Sequence, residues 1–226
     1  MVQSDSTNRD KTRQIYPYSA DFISTQSASG YSTTHSLRRP TCTGRPVRAI
    51  EIQSGHSWKA APGCRILLID SGAVRFDYPA EWVVRPTPKY VFVIDRQPPD
   101  DRCLLAVSWR RIPIRALSIS TAALLDRLAP LETRPSDHRG NTQHLHRPPL
   151  EAAWTETRFI EPVYGNDVCT RMCVARADCT QAVLLLDYRE GNEAAIDVAW
   201  KILLDTLVIG EYIEDIRSGR KHAKRG

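Results

Sequence analysis

The sequence lacks long apolar runs. No stretch approaches the roughly 20 residues that a membrane-spanning helix needs. The opening MVQSDSTNRDKTRQIYPYSADF has no apolar core of the kind a secretory signal carries. Asp5, Asp10 and Asp21 lie among its Arg, Ser and Thr residues, which argues against an organellar transit peptide. Cytoplasmic residence is the resulting expectation. Short catalytic signatures are missing too: GxSxG, GxxxxGKS/T, HExxH and GxGxxG all fail to match. The absence leans against an enzyme while leaving that reading open, and no cofactor, metal or catalytic residue is assigned.

Basic residues are not spread along the chain. The net charge is +5, but residues 1–48 contribute +4 and residues 217–226 another +5, which leaves −4 for the stretch between them. A duplex-binding domain places its basic stripe on the folded surface. Here the folded middle is mildly acidic, so specific nucleic-acid binding is not expected.

Six cysteines are present, at positions 42, 64, 103, 169, 173 and 179. Cys103 opens the apolar run CLLAVSW and Cys173 sits in MCVA, so the thiols read as buried small hydrophobes rather than three bridges.

The chain divides into a disordered basic tail at 1–48, one domain at 49–216, and a basic disordered tail at 217–226. Residues 1–48 are rich in Ser, Thr, Arg and Gln, with no helical or strand period. From there RILLID (65–70), AVRFDYP (73–79), EWVV (81–84), KYVFVID (89–95) and CLLAVSWRR (103–111) read as short strands. SISTAALLDRLAP (118–130) changes to helical spacing, with Ser118 or Ser120 as N-cap. The polar segment 131–149 reads as a long exposed loop. Strands at 150–160, 167–175 and 180–189 follow, the last two joined by a turn at 176–179. The LLL run marks a central strand buried on both faces. A last helix has Ile196, Trp200, Leu203 and Leu207 on one stripe and Gly210 as its C′ residue. Strands, helix, strands, helix is the order of an α+β domain: an antiparallel sheet with helices packed on it.

VRFDYPAEWVV, an aromatic strand running through Tyr-Pro into Trp, resembles the opening of PsbP-like domains. The closing helix AIDVAWKILLDTLVIGEYIED resembles the helix that ends them, and CLLAVSWRRIP and QAVLLLDYREG resemble their central strands. The likeness spans about residues 58–215 and points towards uncharacterised bacterial members. It implies an antiparallel sheet sandwiched by helices, and a binding or accessory role of the kind seen in a photosystem subunit and a Ran-binding import factor.

Several residues have chemistry to offer. His138, His144 and His146 are suited to Zn²⁺, Ni²⁺ or Cu²⁺, but a polar loop gives no rigid framework, so solvated side chains are favoured. Cys169 and Cys173 lack CxxC spacing and read as structural thiols, with or without Cys179. Asp100 and Asp101 follow Pro98-Pro99 as a turn requires. The five tryptophans fall in apolar-patterned elements, with Trp58 the one expected to be exposed. Trp58, Trp82, Asp100 and Asp101 are the candidate partner surface. The favoured function is a non-enzymatic domain binding an unknown protein partner. An enzyme site assembled from distant residues, or weak and salt-sensitive nucleic-acid association through the basic ends, are the alternatives.

Overall fold

Alternation builds most of the strands. The computed structural model describes residues 56–97, 100–128, 138–160 and 167–221. The expected tail at 1–48 lies outside the described residues. The first strands are β1 (Cys64–Ile69), β2 (Val74–Pro79), β3 (Val83–Pro86), β4 (Val91–Ile94) and β5 (Cys103–Arg111). Along β5, Cys103, Leu105 and Val107 enter one buried cluster while Leu104 and Ala106 enter another. A period of two forces that division.

Helix α1 (Thr121–Leu128) follows a single 3₁₀ turn at Ile114–Ser118. The Ser120 hydroxyl accepts the Ala123 N–H at 3.2 Å, which settles the N-cap on the second of the two expected serines. Leu125 buries itself against Leu104, Ala153, Met172 and Leu185.

The stretch expected as an exposed loop at 131–149 is partly strand. Residues 138–139 form β6 (His138–Arg139) and 143–147 form β7 (Gln143–Arg147), both paired with β8 (Leu150–Ile160). Both lie on the outside of β8, where a strand needs no buried face and polar side chains cost nothing. Residues 131–137 lie outside the described residues.

β9 (Asp167–Ala177) and β10 (Thr180–Arg189) complete the main sheet. Their turn is tighter than expected: only Asp178 and Cys179 separate the strands, and Asp178 takes a positive φ of 49°. The sheet order is β3-β4-β5-β10-β9-β8-β6, with β7 also on β8 and every ladder antiparallel. The LLL strand is central, as its composition required. Leu184 and Leu186 face one cluster and Leu185 the other, all nearly inaccessible.

α2 (Glu193–Thr206) lays Ile196, Trp200 and Leu203 on the Leu184–Leu186 side. Each such side chain contributes about 1.5–3 kcal/mol of burial. Arg147 of β7 closes the helix, donating to the carbonyls of Leu204, Asp205 and Leu207. Gly210 is not the C′ residue. Leu207 is already extended and β11 (Val208–Ile209) begins beside it, so the positive φ of 74° at Gly210 serves the turn after β11. β11 joins β1 and β2 in a second sheet of order β1-β2-β11. The end of the chain also departs from expectation. β12 (Ile213–Asp215) and β13 (Arg220–Lys221) form a hairpin, so order continues past 216 through residue 221. Ion pairs hold it, Glu214 to Arg220 at 2.9 Å and Glu211 to Lys221.

The described chain is α+β, a largely antiparallel sheet with two α-helices. No described helix is long and apolar enough to cross a membrane.

Candidate functional site

Antiparallel register places five polar side chains on one end of the sheet. Arg158, Cys169 and Tyr188 share one rung across β8, β9 and β10, and Glu156, Arg171 and Leu186 share a neighbouring rung on the same face. α2 crosses nearby and contributes Asp197.

Arg171 is the hub, only 6% exposed. Its Nε donates to Glu156 at 2.8 Å, one terminal nitrogen donates to the Tyr188 hydroxyl at 3.3 Å, and the same nitrogen reaches the Asp197 carboxylate. Tyr188 in turn donates to Glu156 at 2.8 Å, and Arg158 Nε donates to the other Glu156 oxygen at 3.1 Å. The guanidinium also lies 5.3 Å from the Tyr188 ring centre and 5.8 Å from that of Trp154. A buried cation without such partners costs several kcal/mol, so these contacts are what allow Arg171 to sit there.

The network fixes its own protonation. Burial pushes the Glu156 carboxyl up, but hydrogen bonds from Arg171, Tyr188 and Arg158 outweigh it and hold it below the ordinary value. Burial pushes the Tyr188 phenol well up, and its bond to Glu156 adds to the rise. Burial lowers Arg171, yet Asp197 and Glu156 more than compensate. At neutral pH Glu156 is held as a carboxylate, Tyr188 as a phenol and Arg171 as a guanidinium cation.

Beside it opens a cleft of about 380 Å³, lined by His138, Gly140, Glu156 and Arg158. Arg158 presents itself here with 57% of its side chain exposed, and Asp197 stands at 62%.

The thiols are not activated. Burial drives Cys173 up to about 12 and Cys103 well above its usual value. Burial also raises Cys169, although Arg158 pulls it back in part. Cys64, Cys103, Cys169, Cys173 and Cys179 are all free, and Cys42 lies outside the described residues.

The four residues of the expected partner surface differ in exposure. Trp58 is half-buried rather than exposed: the Arg75 guanidinium lies 4.3 Å above its ring and His56 packs edge-on at 4.8 Å. Trp82 is also half-buried and lines a crevice of about 10 Å³ with Tyr78, Leu105 and Trp200, room for a single water. Asp100 is exposed in the turn before β5, where its N–H donates to the Gln97 carbonyl at 3.2 Å. Asp101 is buried, 2% exposed, and cannot serve as a contact residue without rearrangement.

The three histidines lie in strands, not a loop. His138 stands opposite Arg158, while His144 and His146 stand opposite Ala153 and Glu151, which leaves His138 roughly 17 Å or more along β8 from the other two. Among the described residues no group of three His, Cys, Asp or Glu is placed to hold a metal ion.

Sequence reasoning missed the Arg171 cluster. The available signal was a charge inside an otherwise apolar strand, Arg171 in DVCTRMCVA, which a buried sheet tolerates only when it is paired.

A family model described as Alr1449 matches residues 65–213. The chain belongs to the Alr1449 family. The family's uncharacterised protein alr1449 from Nostoc sp. strain PCC 7120 is 26% identical over 172 residues, covering 75% of this chain and 90% of that one. Among solved structures, the chain is similar to the cyanobacterial PsbP protein CyanoP from Synechocystis sp. PCC 6803, with 12% identity, a TM-score of 0.48, and 70% and 97% coverage. A crystal structure from Bacteroides thetaiotaomicron is similar at 12% identity and a TM-score of 0.43, covering 61% of this chain. The chain spans 45% of that protein's length.

Proposed function

We propose that this Alr1449-family chain is a non-enzymatic binding or accessory domain whose partner is a protein. One observation carries the reading. Glu156, Tyr188 and Arg171 beside the cleft are consumed by each other, with Glu156 held down, Tyr188 pushed up and Arg171 held charged, while His138 on the cleft wall stands outside that network. Proton transfer near neutrality needs a group poised near that pH, whereas a locked network offers fixed charge and shape. The exposed Arg158 and Asp197 at its edge supply one donor fork and one acceptor, a pair suited to charged side chains of a partner surface. Asp100, exposed in the β4–β5 turn, is a further contact point.

The finer architecture we infer is a sheet sandwiched by helices. Leu125 of α1 in one cluster and Ile196, Trp200 and Leu203 of α2 in the other support it. We also propose a cytoplasmic location, which the five free cysteines among the described residues support.

The test is capture of partners from the native host by the full chain, read by mass spectrometry, against the variants Arg158→Ala and Asp197→Asn. The expected result is one enriched protein lost with either variant while the fold is retained. Capture indifferent to both, or a turnover with a bell-shaped pH profile, overturns the reading.

A further inference from the structure

Among the described residues the second sheet leaves one edge unpaired. Among the described residues β1 pairs only with β2, so its other side presents a row of backbone N–H and C=O groups. The outer strands of the main sheet are blunted in ways β1 is not. β3 is four residues long and ends in Arg85-Pro86, and β7 exposes Gln143, His144, His146 and Arg147. β1 runs for six residues, CRILLI, with its single charge, Arg65, near one end and neither Lys nor Pro within it. Ile66 and Leu68 are half-exposed on the side away from the core. An apolar edge of this length is a template for another strand.

We propose that the occupant is a second copy of this chain, with the two β1 strands paired antiparallel about a two-fold axis at Leu67. The strand is complementary to itself in that register. Arg65 falls opposite Ile69 of the other copy and Ile66 opposite Leu68, so no like charges meet. Period-two alternation keeps Leu67 and Ile69 on the core side in both copies. Ile66 and Leu68 of the two copies then form one shared outer stripe, and β11-β2-β1 becomes half of a continuous six-stranded sheet. The pairing is isologous and closes on itself, so it stops at a dimer. This inference is independent of the cleft beside Arg171.

Sedimentation and light scattering of the full chain across a wide concentration series test it, with Ile66→Lys as the variant. Ile66 stands opposite Asp77 within its own sheet, whose buried carboxylate accepts the Ala61 N–H, so circular dichroism and thermal unfolding first establish that the variant folds. Across the seam the two lysines stand diagonally, about 7–8 Å apart, and repel. The expected result is a concentration-dependent dimer whose dissociation constant rises at least tenfold in the variant. A second measurement needs no variant: hydrogen exchange of the outward β1 amides slows as concentration rises. A chain monomeric throughout, a dimer indifferent to Ile66→Lys, or β1 protection that persists on dilution because residues 1–55 of the same chain cover the edge, each overturns the proposal.

Discussion

Thr170 and Asp187 stand opposite each other on the β9–β10 ladder, and the Thr170 hydroxyl donates to the Asp187 carboxylate at 2.6 Å. The carboxyl is 3% exposed, and burial lifts its pKa to about 6 against this one opposing bond. The folded state therefore holds a proton that the unfolded chain has released. Stability falls as pH rises from about 4 to about 6, by about 3 kcal/mol from this group. Asp187→Asn keeps an acceptor for Thr170 and removes the buried charge. The expected outcome is higher stability above pH 6, by up to about that amount, and loss of this slope. Urea denaturation at several pH values measures both.

Glu156 and Glu151 act in the opposite sense. Each is pushed up by burial and pulled further down by its bonds, Glu156 by Arg171 and Tyr188, Glu151 by Arg176 and Thr121. Their contribution is full above the unfolded carboxylate value and is lost as pH falls through the lower folded one. Combined with Asp187, the expected stability maximum lies on the acid side of neutrality. The same network predicts strong coupling: Arg171→Met alone costs about 1–3 kcal/mol, because Glu156 loses its buried cation and keeps only Tyr188 and Arg158. Arg171→Met with Glu156→Gln costs clearly less than the two single changes summed, which a double-mutant cycle reads directly.

Two glycines give contrasting predictions. A Cβ on Gly72, at φ 114°, would come 2.1 Å from the Glu211 carbonyl oxygen. Gly72→Ala must push backbone against backbone, and a global loss of more than about 2 kcal/mol is expected in chemical denaturation. A Cβ on Gly219 would come 2.5 Å from His56 Nε2, a side-chain atom. Gly219→Ala is expected to act locally instead, speeding hydrogen exchange in β12 and β13 and altering Trp58 fluorescence, with a global cost of about 1 kcal/mol.

Thiol labelling has an expected order. Cys64 and Cys179 are half-buried, whereas Cys103 and Cys173 are fully buried with pKa values driven up by that burial. Among the described thiols, an alkylating reagent at neutral pH should modify Cys64 and Cys179 first, and Cys103 and Cys173 only at the rate of unfolding. Early modification of Cys173, read by peptide mass spectrometry, would contradict the packing described for β9.

The elements that bury a face were legible in the sequence. β5, β8 and β10 begin and end where the apolar pattern placed them, because burial of one or both faces dictates which positions can be polar. β6 and β7 were not legible, since an outer strand such as QHLHR is held by backbone bonds and packs only Leu145 on the core, too little to show a period. The β12–β13 hairpin escaped for a related reason: its ion pairs look, in sequence, like a basic tail. The helix end near Gly210 was misjudged because glycine marks any positive φ, not only a helix terminus. The Arg171 cluster was hidden because its members come from β8, β9, β10 and α2, and only the register brings them together. Asp101 illustrates the converse, a residue whose turn was read correctly but whose burial was not.

The placement of β10 between β5 and β9 has a consequence for synthesis at the ribosome. β5 emerges with Leu105 and Val107 facing outward, and their partners Leu186 and Leu184 follow about 80 residues later. At the usual speed of translation that delay is roughly 4–15 s, far longer than hairpins take to form. The β3–β4–β5 meander must wait as a sticky half-sheet until the β8–β9–β10 meander arrives to close against it. Newly made chains are therefore at their most vulnerable during that interval, when a chaperone has both a reason and the time to engage them.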